Sequence, residues 1–165
     1  MKPLTRKAWL VAHVVLSVGW FGGGYAMMIM AIAASTTPEL RPAAHELMHL
    51  GDSTIMIPGA LGALVTGLVL ALRTKWRLLH HWWVVVKLVI TVAAMAFAYA
   101  YLAQHVVLSL EDPRADVDAP LIGGSVAVLL ALVATTALSV FKPWGRTSLY
   151  RPRNEHRPSG DIRVQ

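Results

Sequence analysis

Two ionisable side chains, His13 and Lys87, stand inside long apolar stretches of the sequence. Ionisable groups are costly in hydrocarbon, so they normally face the interior of a helix bundle and mark a functional position. Each of the two comes five residues after the start of its apolar stretch, and both stretches are predicted to cross the membrane in the same direction. We therefore expect the imidazole and the ammonium group at about the same depth, near the cytoplasmic surface.

The neighbours of His13 on its helix favour a ligand role. At about 100° per residue, the His13 face also carries Trp20 and Gly24, and Gly23 lies on an adjoining flank. Glycines let a helix backbone or a flat ligand approach closely. Because the chain has no cysteine, an inward histidine beside Trp and Gly suits axial ligation of a b-type haem in a helical bundle. The alternative is a histidine hydrogen-bonded to a neighbouring helix.

The helix face through Lys87 is polar along much of its length. It also carries Thr91, Tyr101 and His105. A helix that faces lipid would not carry such a stripe, so we expect this face to point into the bundle. Thr66 and Ser139, in the neighbouring spans, are interpreted as packing positions.

Four apolar stretches predict an all-α, four-helix transmembrane bundle. Of the 165 residues, 56% are hydrophobic and 15% are charged, against about 25% charged in a soluble chain. A helix needs about 20 apolar residues to cross a bilayer, and such segments occupy residues 8–34, 53–72, 82–110 and 121–141. They define a transmembrane domain over residues 1–141, followed by a basic cytoplasmic tail over residues 142–165 that is expected to be disordered.

The basic residues are concentrated on one side of this bundle. They precede the first span, separate the second from the third, and follow the fourth, whereas Arg41 and Arg114 stand among seven acidic residues in the other two connections. The positive-inside rule places both termini in the cytoplasm, an N-in, C-in topology. We expect a multi-pass protein of the bacterial plasma membrane with lipid as a partner. No basic patch interleaved with aromatic residues is present in the sequence, so no nucleic-acid partner is expected.

Three blocks of the sequence, in the same order, resemble a known superfamily. In residues 13–25, His13 is followed seven residues later by Trp20 and then by a run of glycines. This block resembles the first-helix pattern of the four-helix membrane protoporphyrinogen oxidases and of the copper-resistance D-type membrane domains. The blocks match in order across about half the chain. Within this superfamily the chain most resembles small bacterial integral membrane proteins of unassigned function. The other blocks are Ile57-Pro58 with Thr66-Gly67-Leu68, and Trp82-Trp83 with Lys87-Leu88.

The resemblance implies a haem b bound through His13, with Lys87 as a second functional position. Lys87 is then either a sixth ligand or a cation that pairs with the porphyrin propionates, and either role needs the first and third spans to be adjacent. Trp20, Gly23 and Gly24 complete the predicted cofactor-binding set. A redox or tetrapyrrole-related role follows, with a redox partner or a second copy of the chain as candidate partners. Catalytic residues are not identified.

A second motif, His45-Glu46-Leu47-Met48-His49, matches H-E-x-x-H. In that pattern two histidines bind zinc and the glutamate activates water. A membrane zinc metallopeptidase is therefore an alternative function, ranked below an oxidoreductase. A solvated, amphipathic connector between the first two spans is the favoured interpretation of the segment. A working site needs a third protein ligand, for which the nominees are Asp52, Glu111, Asp112 and His105.

Three methionines, Met27, Met28 and Met30, cluster near the outer end of the first span. Thioethers bind soft Cu(I), but methionine is also an adaptable packing residue, and packing is its usual role in membrane helices. The remaining alternative function is a non-enzymatic membrane component for transport or assembly, which would bind neither haem nor zinc.

Overall fold

The computed structural model describes residues 2–73, 82–112 and 114–143. Within these ranges the chain is all-α, and four of its helices are long and apolar enough to cross a membrane. The prediction of an all-α, four-helix transmembrane bundle is confirmed. The predicted tail lies outside the described residues from position 144 onward, and the N-in, C-in orientation stays a prediction. The four crossings are Pro3–Thr36, Pro38–Arg73, Trp82–Glu111 and Asp118–Phe141.

Two of the crossings are interrupted by a π-helical turn. The second crossing contains the first π-turn, Asp52–Met56, and the third contains the second π-turn, Ala98–Leu102. A 3-10 turn, Pro38–Leu40, begins the second crossing. The α-helices are α1 (Pro3–Thr36), α2 (Arg41–Gly51), α3 (Ile57–Arg73), α4 (Trp82–Phe97), α5 (Ala103–Glu111) and α6 (Asp118–Phe141).

Prolines and backbone geometry set the ends of the helices. Pro3 occupies the first turn of α1, where its missing N–H would have had no helical partner. Thr37 precedes Pro38 and is extended, with φ −133°, because the ring of a following proline disfavours helical geometry. At the end of α6, Lys142 adopts the left-handed conformation with φ 46°, and its N–H donates to the carbonyl of Leu138 at 3.1 Å.

The crossings form a ring in which α1 packs against α3 and α6, and α4 packs against α6. Among the described residues α1 and α4 share little or no direct contact, so the first and third crossings lie diagonally across the bundle. The expected adjacency of these two helices is therefore not seen as direct packing. The apolar spans of a bundle cannot reveal in the sequence which of them become neighbours.

The ends of the bundle differ in their contents. We call the end at which α1 begins and α3 and α6 end the termini end, and the opposite end the loop end. At the loop end the guanidinium of Arg41 donates to both oxygens of Asp118, at 2.8 and 2.7 Å, and to the carbonyl of Ala115 at 2.9 Å. These bonds fasten α2 to the start of α6.

Candidate functional site

His13 lies half-buried on α1 and is held against α3. Its Nδ1 is 3.0 Å from the carbonyl oxygen of Ala63 and 3.0 Å from the hydroxyl of Thr66. The Thr66 hydroxyl itself donates to the carbonyl of Gly62 at 2.7 Å. Because a carbonyl oxygen can only accept, Nδ1 carries the proton and donates it. When the imidazole is neutral, this tautomer has its lone pair on Nε2.

Gly67 lets the His13 ring lie close to the α3 backbone. A Cβ atom at position 67 would stand 3.0 Å from His13 Cε1 and 3.7 Å from Nε2. A side chain at this position would therefore push the ring away from Ala63 and Thr66. The Thr66-Gly67 pair supplies both the polar partner and the space, and it belongs to one of the blocks that carry the family resemblance.

Lys87 is half-buried on α4 and is held against α6. Its ammonium donates to the hydroxyl of Ser139 at 2.7 Å. That hydroxyl donates in turn to the carbonyl of Thr135 at 2.9 Å. Ser139 and Thr66 thus take part in hydrogen bonds between helices, beyond the packing role that the sequence suggested for them.

His13 and Lys87 occupy the same half of the bundle on diagonal helices. They are close enough to interact electrostatically, but no hydrogen bond joins them. His13 is bonded to the Thr66 hydroxyl, and Lys87 is bonded to the Ser139 hydroxyl. This arrangement brings an imidazole and an ammonium group together within one polar layer near the termini end. We call this layer the His13–Lys87 layer; it also includes Thr66 and Ser139.

The other predicted cofactor-binding residues lie away from this layer. Trp20 is 3% exposed, and a Cβ atom at Gly59 would stand 3.3 Å from Trp20 Cβ. Gly23 and Gly24 lie roughly 15 Å further along α1 than His13, at about 1.5 Å per residue. Their open sides are filled by side chains of the first π-turn and of α6, respectively. Trp20 and the two glycines therefore serve close helix packing in this arrangement.

The H-E-x-x-H segment lies on α2, and its members face different surroundings. His45 is 2% exposed, whereas Glu46 and His49 are exposed. Over the described ranges there is no group of three or more His, Cys, Asp or Glu side chains that could hold a metal ion. The arrangement therefore offers no third ligand of these types to a zinc ion on α2.

His45 has an unusual environment for a titratable side chain. Its Nε2 is buried and has no hydrogen-bond partner among the residues that the structure describes, although Arg41 and Asp118 are close enough to act on it electrostatically. A buried polar atom without a partner is destabilising. The sequence motif gave no sign of this orphaned nitrogen, because burial depends on how α2 docks onto the bundle.

No family model, curated protein or solved structure matches this chain. The resemblance to the oxidase superfamily therefore stays a prediction from the residues themselves. The geometry of the His13–Lys87 layer carries the functional argument.

Proposed function

We propose that this multi-pass membrane protein binds haem b in the His13–Lys87 layer and serves a redox or tetrapyrrole-related role in the bacterial plasma membrane. The assignment as a multi-pass membrane protein rests on the four helices that are long and apolar enough to cross a bilayer. The cofactor proposal rests on the donor chemistry of His13.

The observation that supports haem is the hydrogen bond of His13 Nδ1 to the Ala63 carbonyl, at 3.0 Å. Histidines that bind a metal through one ring nitrogen commonly donate the other N–H to a carbonyl, which fixes the tautomer and orients the ring. His13 meets this condition, and its Nε2 lone pair is the atom that would bind iron. The donor set therefore fits the group.

Lys87 fits the acidic part of the same cofactor. A porphyrin carries two propionates, and an ammonium group in the same polar layer would pair with one of them. Ser139 orients that ammonium group from α6. When bound, haem would supply a one-electron redox centre, while the chain would hold it through His13 and balance its charge through Lys87.

A second candidate function is a non-enzymatic component for transport or assembly. It is favoured by one observation: His13 and Lys87 each already complete a hydrogen bond between neighbouring crossings. In that function the two side chains would fix which helices pair, and no cofactor would be needed.

An absorption spectrum of the detergent-purified protein, expressed with ample haem supply, separates the two candidates. We expect a Soret band and a b-type pyridine haemochrome spectrum, and we expect His13→Ala to lose both. The matched control is His105→Ala, because among the described residues the hydrogen bond of His105 stays within its own crossing, to Tyr101 O at 2.8 Å. Wild-type protein without haem, or full haem content in His13→Ala, would overturn the proposal.

A further inference from the structure

A cavity of about 40 Å³ lies between the crossings towards the loop end. One water-sized occupant needs roughly 10–15 Å³ by this measure, so the cavity has room for a single ion. All four crossings contribute to its lining. The lining residues that matter here are Met27, Met48, Asp52, Met56, Leu102 and Ser125.

Three methionines from three different elements line this cavity. Met27 comes from α1, Met48 from α2 and Met56 from the first π-turn. Two glycines give these side chains room: a Cβ atom at Gly51 would stand 3.1 Å from Met27 Cε, and one at Gly23 would stand 3.0 Å from Met56 Sδ. The sequence cluster of three methionines is thus divided, since only Met27 belongs to the lining.

Both π-turns border the cavity. The first contributes Asp52 and Met56, and the second contributes Ala98 and Leu102. Single π-turns within α-helices are rare and frequently occur at functional sites. Two of them on neighbouring crossings, facing one cavity, distinguish this place from ordinary helix packing.

Asp52 is an acidic residue of the cavity lining. It is partly buried, and among the described residues its carboxylate takes part in no ion pair and no hydrogen bond. The exposed side chain of His49 is close enough to interact with it electrostatically. A positive charge bound beside a partly buried carboxylate stabilises its charged form.

We propose that this cavity binds a soft monovalent metal cation, Cu(I) in particular, through the thioethers of Met27, Met48 and Met56. Soft thioether ligands select Cu(I) over the hard cations that prefer oxygen. The thioethers are neutral, so the single charge of Asp52 balances one positive charge and no more. Six further acidic residues near the loop end, Glu39, Glu46, Glu111, Asp112, Asp116 and Asp118, would raise the local concentration of cations. The proposal does not depend on haem binding.

Silver ions are a suitable probe, because Ag(I) is a soft monovalent cation that resists oxidation. Detergent-purified protein, titrated with Ag(I) against a competing chelator, is expected to bind one equivalent. The triple variant Met27→Leu, Met48→Leu, Met56→Leu is expected to lose that equivalent, since leucine keeps the volume but lacks the sulfur. Met30→Leu is the matched control, because Met30 packs against the buried apolar cluster that contains Met27 and Met48 but does not line the cavity.

A measurement on the wild-type chain decides the matter if the triple variant does not fold. With ¹³C-labelled methionine methyl groups, Ag(I) is expected to shift the NMR signals of Met27, Met48 and Met56. The signals of Met30 and Met95 should stay in place. The proposal is overturned if the wild-type protein binds no Ag(I), if a folded triple variant binds it equally well, or if other methionines shift instead.

Discussion

The two halves of the bundle differ in whether their inward polar side chains have hydrogen-bond partners on neighbouring crossings. Near the termini end, His13 and Lys87 each bond to a hydroxyl of a neighbouring crossing. Towards the loop end, His45 Nε2 has no partner and Asp52 lines a cavity. The contrast indicates that hydrogen bonds pair both polar groups of the first half with neighbouring helices, whereas the second half, beside its Arg41–Asp118 pair, keeps two polar groups that other protein groups do not compensate.

The largest expected effect comes from closing the space beside His13. Gly67→Val should displace the ring from Ala63 and Thr66 and lower the free energy of unfolding by about 2 kcal/mol, the typical cost of overpacking. If the protein binds haem through His13, its haem content should fall as well. Unfolding by denaturant in detergent measures the first effect, and the absorption spectrum the second.

Gly123→Val is the matched control for this substitution. It makes the same change within a membrane-spanning helix, but a Cβ atom at position 123 would meet nothing within 4 Å. Equal destabilisation by the two variants would show that the Gly67–His13 contact has no special importance.

A smaller effect is expected from breaking the hydrogen bond between Lys87 on α4 and Ser139 on α6. Ser139→Ala removes the acceptor of Lys87 and should lower the free energy of unfolding by about 1 kcal/mol, because a partly buried ammonium group loses its partner. Thr136→Val is the control, since within the described part of the chain the Thr136 hydroxyl bonds inside its own helix, to Leu132 O at 2.9 Å. A loss in Thr136→Val as large as that in Ser139→Ala would contradict a role in helix pairing.

The smallest effect has the opposite sign and belongs to the loop end. His45→Leu replaces an imidazole that has an orphaned nitrogen with an apolar side chain, and should raise the free energy of unfolding by up to about 1 kcal/mol. His105→Leu should give no such gain, because its Nδ1 already has a partner. A clear loss of stability in His45→Leu would mean that the imidazole makes a favourable interaction, and the contrast between the two halves would weaken.

Much of the fold could be predicted from hydropathy alone. The predicted third span, residues 82–110, differs by one residue from Trp82–Glu111. The predicted fourth span starts at residue 121, three residues after the observed start at Asp118. The second differs most: the segment before residue 53 was expected to be a separate connector, but it continues into the crossing through the first π-turn. An extra residue in a helical turn leaves no mark in hydropathy, so this continuity was hidden.

The candidate site was predictable only in part. Helical spacing identified His13 and Lys87 as inward-facing, because charged or titratable groups avoid lipid. It could not tell that His13 meets Thr66 and that Lys87 meets Ser139, since the order of helices around a bundle depends on packing between distant segments. The same limit hid the thioether cluster: Met48 and Met56 join Met27 only after the second crossing docks on the first.

The π-turns also set how α2 is rotated relative to α3, and how α5 is rotated relative to α4. Each inserts about one residue relative to a regular helix, which turns everything on one side of it by about 100° about the helix axis. The directions of Arg41 and Met48 around the helix axis therefore depend on the first π-turn, whereas the direction of Thr66, on α3, does not. Removing one residue from Asp52–Met56 would therefore turn α2 by about 100° relative to α3, while α3 and its contact with His13 would stay in register.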